Sequence, residues 1–152
     1  MEDLSLHILD IAENSIAAEA KRIEIKIDED NDKDLLTIEI KDDGKGMDQE
    51  SLKKAVDPFF TTRKTRRVGL GLSFLSQAAE ESGGKMEIKS TPNEGTMTKA
   101  TFRLSHPDCK PMGDINQTIQ TLVVSHPEIN FIYEYHKDNS IYRFDSRETC
   151  RK

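Results

Sequence analysis

The sequence predicts an α+β fold, a mainly antiparallel mixed sheet with helices on one face. Three observations predict it. Apolar residues recur at three- and four-residue spacing in two well-separated stretches, Leu4–Ala20 and Ile115–Val123. Apolar and polar residues alternate strictly at 23–27 and 36–41, the mark of strands with one buried face. The link between these two stretches is too short for a crossover helix, so the two strands should run antiparallel.

Leu4, Ile8, Leu9, Ile11, Ala12, Ile16 and Ala20 give the first helix its apolar stripe, with Asp3 or Ser5 as a cap. Ile23, Ile25 and Ile27 alternate with Glu24 and Lys26, and Leu36, Ile38 and Ile40 with Thr37, Glu39 and Lys41. The polar run Asp28–Asp34 between them makes a hairpin loop. Asp48 caps a short helix expected to reach about Val56, and a helix over 72–82 stops at Gly83-Gly84. Lys85–Ser90 and Thr96–Leu104 form a second hairpin across Thr91-Pro92-Asn93-Glu94-Gly95. The stretch His106-Pro107 to Pro111-Met112-Gly113 reads as a boundary. It divides a main domain, 1–105, from a small C-terminal appendage, 106–152. In the appendage Asp114 and Gln117 suggest a capping box, Ile115, Ile119, Leu122 and Val123 an apolar stripe, and Pro127 a stop. Phe131–His136 and Ser140–Asp145 complete a third hairpin.

At 152 residues the chain can bury a real core without disulfide or metal staples. Charged residues make up 33%, above the usual ~25%, and the net charge is −6. An acidic balance argues against a dedicated nucleic-acid binder. No apolar run approaches the ~18 residues that cross a bilayer, so no membrane association is expected. The start Met1-Glu2-Asp3 is acidic where a signal peptide is basic, and Cys109 and Cys150 lack metal-ligand spacing. A reduced, cytoplasmic setting fits these features.

Four short segments carry chemistry. Asp10 and Asn14 stand four apart on the first helix, on one face and about 6 Å apart along the axis. A carboxylate and an amide oxygen there suit a hydrated Mg²⁺. A lone pair of this kind is more often simply solvated. Asp42-Asp43-Gly44-Lys45-Gly46-Met47 follows a strand directly. Its glycines allow close approach of backbone to a ligand, and Asp42 can accept from an exocyclic amine, although Asp-Gly is also ordinary turn chemistry. Asp57-Pro58-Phe59-Phe60-Thr61-Thr62-Arg63-Lys64 pairs two adjacent aromatics, either a ligand clamp or a loop anchor. Gly69-Leu70-Gly71-Leu72-Ser73 opens a helix, where free amides make an anion site. It is neither a Walker A loop nor a dinucleotide-binding fingerprint.

In order and spacing, these segments resemble the GHKL family of ATP-binding domains, which includes DNA gyrase, the ninety-kilodalton heat-shock chaperones, histidine kinases and mismatch-repair ATPases. Leu9–Ala18 looks like the family's N box, Asp42–Met47 its G1 box, Asp57–Thr62 its F box and Gly69–Ser73 its G2 box. Glu94-Gly95-Thr96 with the alternation Thr98, Ala100, Phe102 and Leu104 resembles its closing G3 turn and last strand. The match covers about residues 4–105. It implies the Bergerat fold, a two-layer α/β sandwich.

The resemblance also implies roles. Asn14 would hold Mg²⁺. Asp42 would accept from the adenine amine, with Gly44, Gly46 and Met47 shaping the pocket and Thr96 closing it. Residues 60–71 would form a lid, in which Phe60, Thr62, Arg63 and Lys64 approach the nucleotide and Gly69, Leu70, Gly71 and Leu72 lie along the phosphates. Arg63, Lys64, Arg66 and Arg67 occupy four of five consecutive positions, which fits phosphate neutralisation in an acidic protein. Hydrolysing members carry glutamate four residues before the asparagine. Here Asp10 stands there, one methylene shorter, and slow hydrolysis is expected. His7 lies in the first helix rather than in an acceptor hairpin, so a stand-alone domain is expected instead of a whole sensor kinase. The implied function is ATP·Mg²⁺ binding that acts on a protein partner, by phosphoryl transfer or by nucleotide switching. The alternatives are a slow ATPase and a non-catalytic nucleotide sensor.

Overall fold

Alternation along the strands builds the sheet in the computed structural model, which describes residues 4–48, 50, 75–106, 109 and 112–146. The strands are β1 (Arg22–Asp30), β2 (Leu35–Asp42), β3 (Lys85–Thr91), β4 (Gly95–Arg103), β5 (Asn130–Lys137) and β6 (Ser140–Asp145). They form one six-stranded sheet in the order β3-β4-β2-β1-β5-β6. Four of the five pairings are antiparallel; β1 and β5 run parallel, with Arg22 opposite Asn130. The sheet is thus mixed and mainly antiparallel, as the sequence predicts.

One face is apolar. Ile23, Ile25, Ile27, Leu36, Ile38, Ile40, Ala100, Phe102, Phe131 and Tyr133 are buried there. Helix α1 (Leu4–Ala17) supplies Leu4, Ile8, Ile11 and Ala12 to the same core. Helix α2 (residues 75–81) adds Leu75, Ala78 and Ala79, and α3 (Ile115–Ser125) adds Ile115, Ile119 and Leu122. The Ser5 amide donates to the Met112 carbonyl at 2.8 Å, tying α1 to the approach to α3. Among the described residues no helix is long and apolar enough to cross a membrane.

The first helix ends earlier than its periodicity suggests. Glu19 adopts φ 66°, its amide donates to the Ile16 carbonyl, and the Ala20 amide reaches back to the Ser15 carbonyl. This pair of bonds is a Schellman ending, with Glu19 at the position glycine usually takes. Ala20 is therefore buried as the first residue past the turn, not as a helical one. Ser5 lies inside α1, so it does not cap it, and Asp3 lies outside the described residues. So does most of the short helix expected after Asp48.

In the C-terminal segment the Asp114 carboxylate accepts from the Gln117 amide at 3.0 Å and caps α3. The β5–β6 hairpin extends the main sheet edge-on through β1.

The opposite face carries charge in register. Reading across the six strands, Glu87, Lys99, Glu39, Lys26, Glu134 and Arg143 lie side by side and alternate in sign. Directly opposed unlike charges on a sheet face stabilise it, and like charges oppose it. The unusually high charge of the chain is thus partly accounted for by a sheet face that no described helix covers.

Candidate functional site

The alternation that builds the core also builds the site. On β2 the inward positions run Leu36, Ile38, Ile40 and then Asp42. On β4 they run Phe102, Ala100, Thr98 and then Thr96. Asp42 pairs with Thr96 across β2 and β4, and Thr96 pairs with Ser90 across β3 and β4. At one end of the sheet the helix-covered face therefore changes from apolar to polar along a single row: Asp42, Thr96, Ser90.

The end of α1 comes down beside this row. The Ser15 hydroxyl donates to Asp42 Oδ2 at 2.6 Å, and the Gly44 amide donates to Asp42 Oδ1 at 2.8 Å. Each carboxylate oxygen is fixed by one donor and retains capacity for another. Asp43 turns away and accepts from the Lys21 and Arg22 amides, which fastens the start of β1 to the end of β2.

The glycines hold backbone against backbone. A Cβ on Gly44 would come within 2.8 Å of the Ala18 carbonyl oxygen, the same atom that accepts from the Lys45 amide. Gly46 has φ +70°, and a Cβ there would overlap the Thr91 carbonyl. The turn after β2 is thereby clamped between the end of α1 and the β3–β4 loop. Met47 follows, half-buried, its amide donating to the Ser90 hydroxyl at 2.7 Å.

Asn14 is on α1, one residue before Ser15. Both its amide oxygen and its amide nitrogen are buried and find no hydrogen-bond partner among the described residues. A buried polar group left in this state costs about 1–3 kcal/mol, and a bound group that paired with it would offset that cost. A hard cation fits its amide oxygen. Among the described residues no cluster of three or more His, Cys, Asp or Glu side chains could hold a metal alone. Mg²⁺ takes one or two protein oxygens and completes its shell with water and phosphates, so a single amide oxygen is a sufficient protein ligand. Asp10 lies one turn earlier on α1, half-buried.

Of the residues expected at the site, the structure thus brings Asn14, Asp42, Gly44, Gly46, Met47 and Thr96 to one end of the fold. Phe60, Thr62, Arg63, Lys64, Gly69, Leu70, Gly71 and Leu72 lie outside the described residues. Ser15 and Ser90 went unrecognised in the sequence. Strand parity offered a signal for Ser90, the last inward position of β3 after Met86 and Ile88.

The family model described as "Histidine kinase-, DNA gyrase B-, and HSP90-like ATPase" matches residues 2–107. The sensor histidine kinase YxdK of Bacillus subtilis is 30% identical over 90 residues, 57% of this chain and 27% of that protein. The anti-sigma F factor of a Thermoanaerobacter species is 39% identical over 67 residues, 43% of each chain. Both matches span well under two thirds of the relative's own length. Among solved structures, the Aquifex aeolicus MutL ATPase domain complexed with ADP shares the fold. Its TM-score is 0.57 at 18% identity, over 93% of this chain and 63% of that one.

Proposed function

The chain belongs to the histidine kinase-, DNA gyrase B- and HSP90-like ATPase family, and from that premise we propose that it binds ATP with Mg²⁺ at the Asn14–Asp42 end of the sheet and transmits nucleotide state to a protein partner. The carrying observation is the orphaned Asn14 amide standing next in sequence to Ser15, which anchors Asp42. Asp42 keeps open acceptor capacity for the adenine amine, and Asn14 supplies an oxygen to the cation. A cation held there would neutralise phosphate charge on the nucleotide. Gly44, Gly46, Met47 and Thr96 shape the adenine end. Phe60, Thr62, Arg63, Lys64, Gly69, Leu70, Gly71 and Leu72 are assigned to the lid and phosphates on the strength of the sequence motifs.

A protein partner is supported by two relatives, one named as a sensor histidine kinase and one as an anti-sigma factor. A cytoplasmic location belongs to the same reading, since ATP is supplied there. Calorimetry with ATP·Mg²⁺ tests the pocket. Asp42→Asn puts an amide donor toward the adenine amine, and affinity should fall by roughly 5- to 150-fold, the equivalent of about 1–3 kcal/mol. Wild-type affinity in this variant would overturn the assignment. Incubation with γ-labelled ATP and cell lysate then separates the outputs. Label on a protein identifies phosphoryl transfer, free phosphate an ATPase, and neither a nucleotide switch.

A further inference from the structure

We propose that Ser90 is a positioning residue of this pocket: it fixes the Thr96 hydroxyl as a hydrogen-bond acceptor and so favours purines with an amine, not an oxo group, at position 6. The proposal rests on the reading of the Asp42 end of the sheet as the adenine end of a nucleotide site.

Three groups converge on the Ser90 hydroxyl. The Met47 amide donates to it at 2.7 Å, the Gly95 carbonyl stands 3.1 Å away as an acceptor, and Thr96 Oγ1 lies at 2.7 Å. A serine hydroxyl has one proton and two lone pairs. If its proton goes to Gly95, both lone pairs are used, one by the Met47 amide and one by the Thr96 proton. All three neighbours are then satisfied at once. If its proton goes to Thr96 instead, the Gly95 carbonyl loses this donor and the Thr96 proton is left without this acceptor. The first arrangement makes one more bond, and the second makes one fewer in a part-buried site, where an unmade bond is costly.

In the first arrangement the Thr96 proton is spent on Ser90, and Thr96 turns only lone pairs to the pocket. Its partner across β2 and β4 is Asp42, whose oxygens also accept. Two adjacent acceptors match an amine, which donates. They oppose an oxo group, whose lone pairs would face theirs. Removing the Ser90 hydroxyl frees the Thr96 proton, which can then turn and donate to an oxo group.

The test measures affinities for ATP and for ITP, its 6-oxo counterpart, by calorimetry with the full chain. Wild type should prefer ATP. Ser90→Ala should narrow the ATP-to-ITP ratio by roughly 2- to 10-fold, the worth of one neutral hydrogen bond. Ser90→Thr retains the hydroxyl on a residue suited to a strand and should restore the ratio. Thr96→Val removes the acceptor and should narrow the ratio too, and the double variant should narrow it less than the two singles combined, because the residues act as a unit. Thr96→Val also carries the test by itself if Ser90→Ala folds poorly. A ratio unchanged in Ser90→Ala overturns the proposal, including the case where both affinities fall in parallel, as a purely structural role requires. Asp42→Asn separates the two readings. Unchanged ATP affinity there refutes the pocket itself, whereas lost affinity with an intact ratio in Ser90→Ala refutes only the role of Ser90.

Discussion

Asn14 holds a buried amide with nothing to bond among the described residues, and that state makes opposite predictions for stability and for binding. Asn14→Ala removes two orphaned polar atoms, so resistance to urea should stay level or rise. The same change should abolish the gain in ATP affinity that Mg²⁺ brings. A variant keeping its full Mg²⁺ enhancement would show that the cation sits elsewhere. Asp10 is argued from reach. Its backbone is fixed relative to Asn14 by the helix, and its side chain is one methylene shorter than the glutamate of hydrolysing relatives. A misplacement near 1 Å can lower a rate by about 100-fold. Phosphate release by the wild type should accordingly be slow, and faster in Asp10→Glu. Asp10→Asn should bind ATP and release no phosphate, because an amide takes no proton from water; turnover equal to wild type would remove Asp10 as a base. At this scale the sequence was informative where a residue type is unusual for its place, as with an acidic residue at the inward end of an isoleucine strand. Ser15 and Ser90 were harder to see. Serine is ordinary at a helix end or a strand end, and only the folded register shows which hydroxyl faces which acceptor.

Strands and their partners were readable in part. Alternation placed β1, β2, β3 and β4 and their hairpins, because each pair is joined by a short loop and local chemistry decides the register. Periodicity alone carried α1 too far. The Schellman turn at Glu19 uses a left-handed residue that is not glycine, so the usual stop signal was missing. The charged row across the sheet could not be foreseen, since it depends on the register of all six strands. It yields a prediction about charge order. Lys26 stands between Glu39 and Glu134, so Lys26→Glu creates two like-charge neighbours. Stability in urea should fall by about 1–2 kcal/mol at low salt and recover partly near 1 M salt, where screening acts within ~3 Å. An equal loss at both salt levels would mean that the charges are not what matters. Acid should act on the same row. His136, hydrogen-bonded to Glu134 at 3.0 Å, holds the Glu134 carboxyl below its ordinary range, and Arg143 and Lys26 add to this. A carboxylate whose folded pKa is depressed stabilises the fold above its unfolded pKa, about 4.3. That contribution fades as pH falls through the folded value. Glu134→Gln should therefore flatten the dependence of stability on pH below about 5.

For the molecule as a whole, the parallel pairing of β1 with β5 has the largest consequences. It joins the last hairpin to the first strand, and no sequence pattern announces it, because a strand does not display its distant partner. It predicts one cooperative unit. Tyr133 is buried on β5 beside Ile25 of β1, and Tyr133→Ala should cost about 3–5 kcal/mol, as for other large aromatics. The loss should appear as one shifted transition, with probes in α1 and in β5 melting together. Two separate transitions would show that the C-terminal hairpin unfolds by itself. The same pairing also has a meaning in time. A ribosome adds about 5–20 residues per second, so β5 is made roughly 5–20 s after β1. Through that interval one edge of β1 waits without its neighbour, its backbone N–H and C=O groups unpaired beside a face of isoleucines. Glu24 and Lys26 interrupt the isoleucines, and Asp28, Glu29 and Asp30 close the strand with negative charge. Charges set into an open edge discourage pairing with other nascent chains. The acidic end of β1 thus acts as a temporary guard during synthesis, holding the place open until the chain's own late strand arrives.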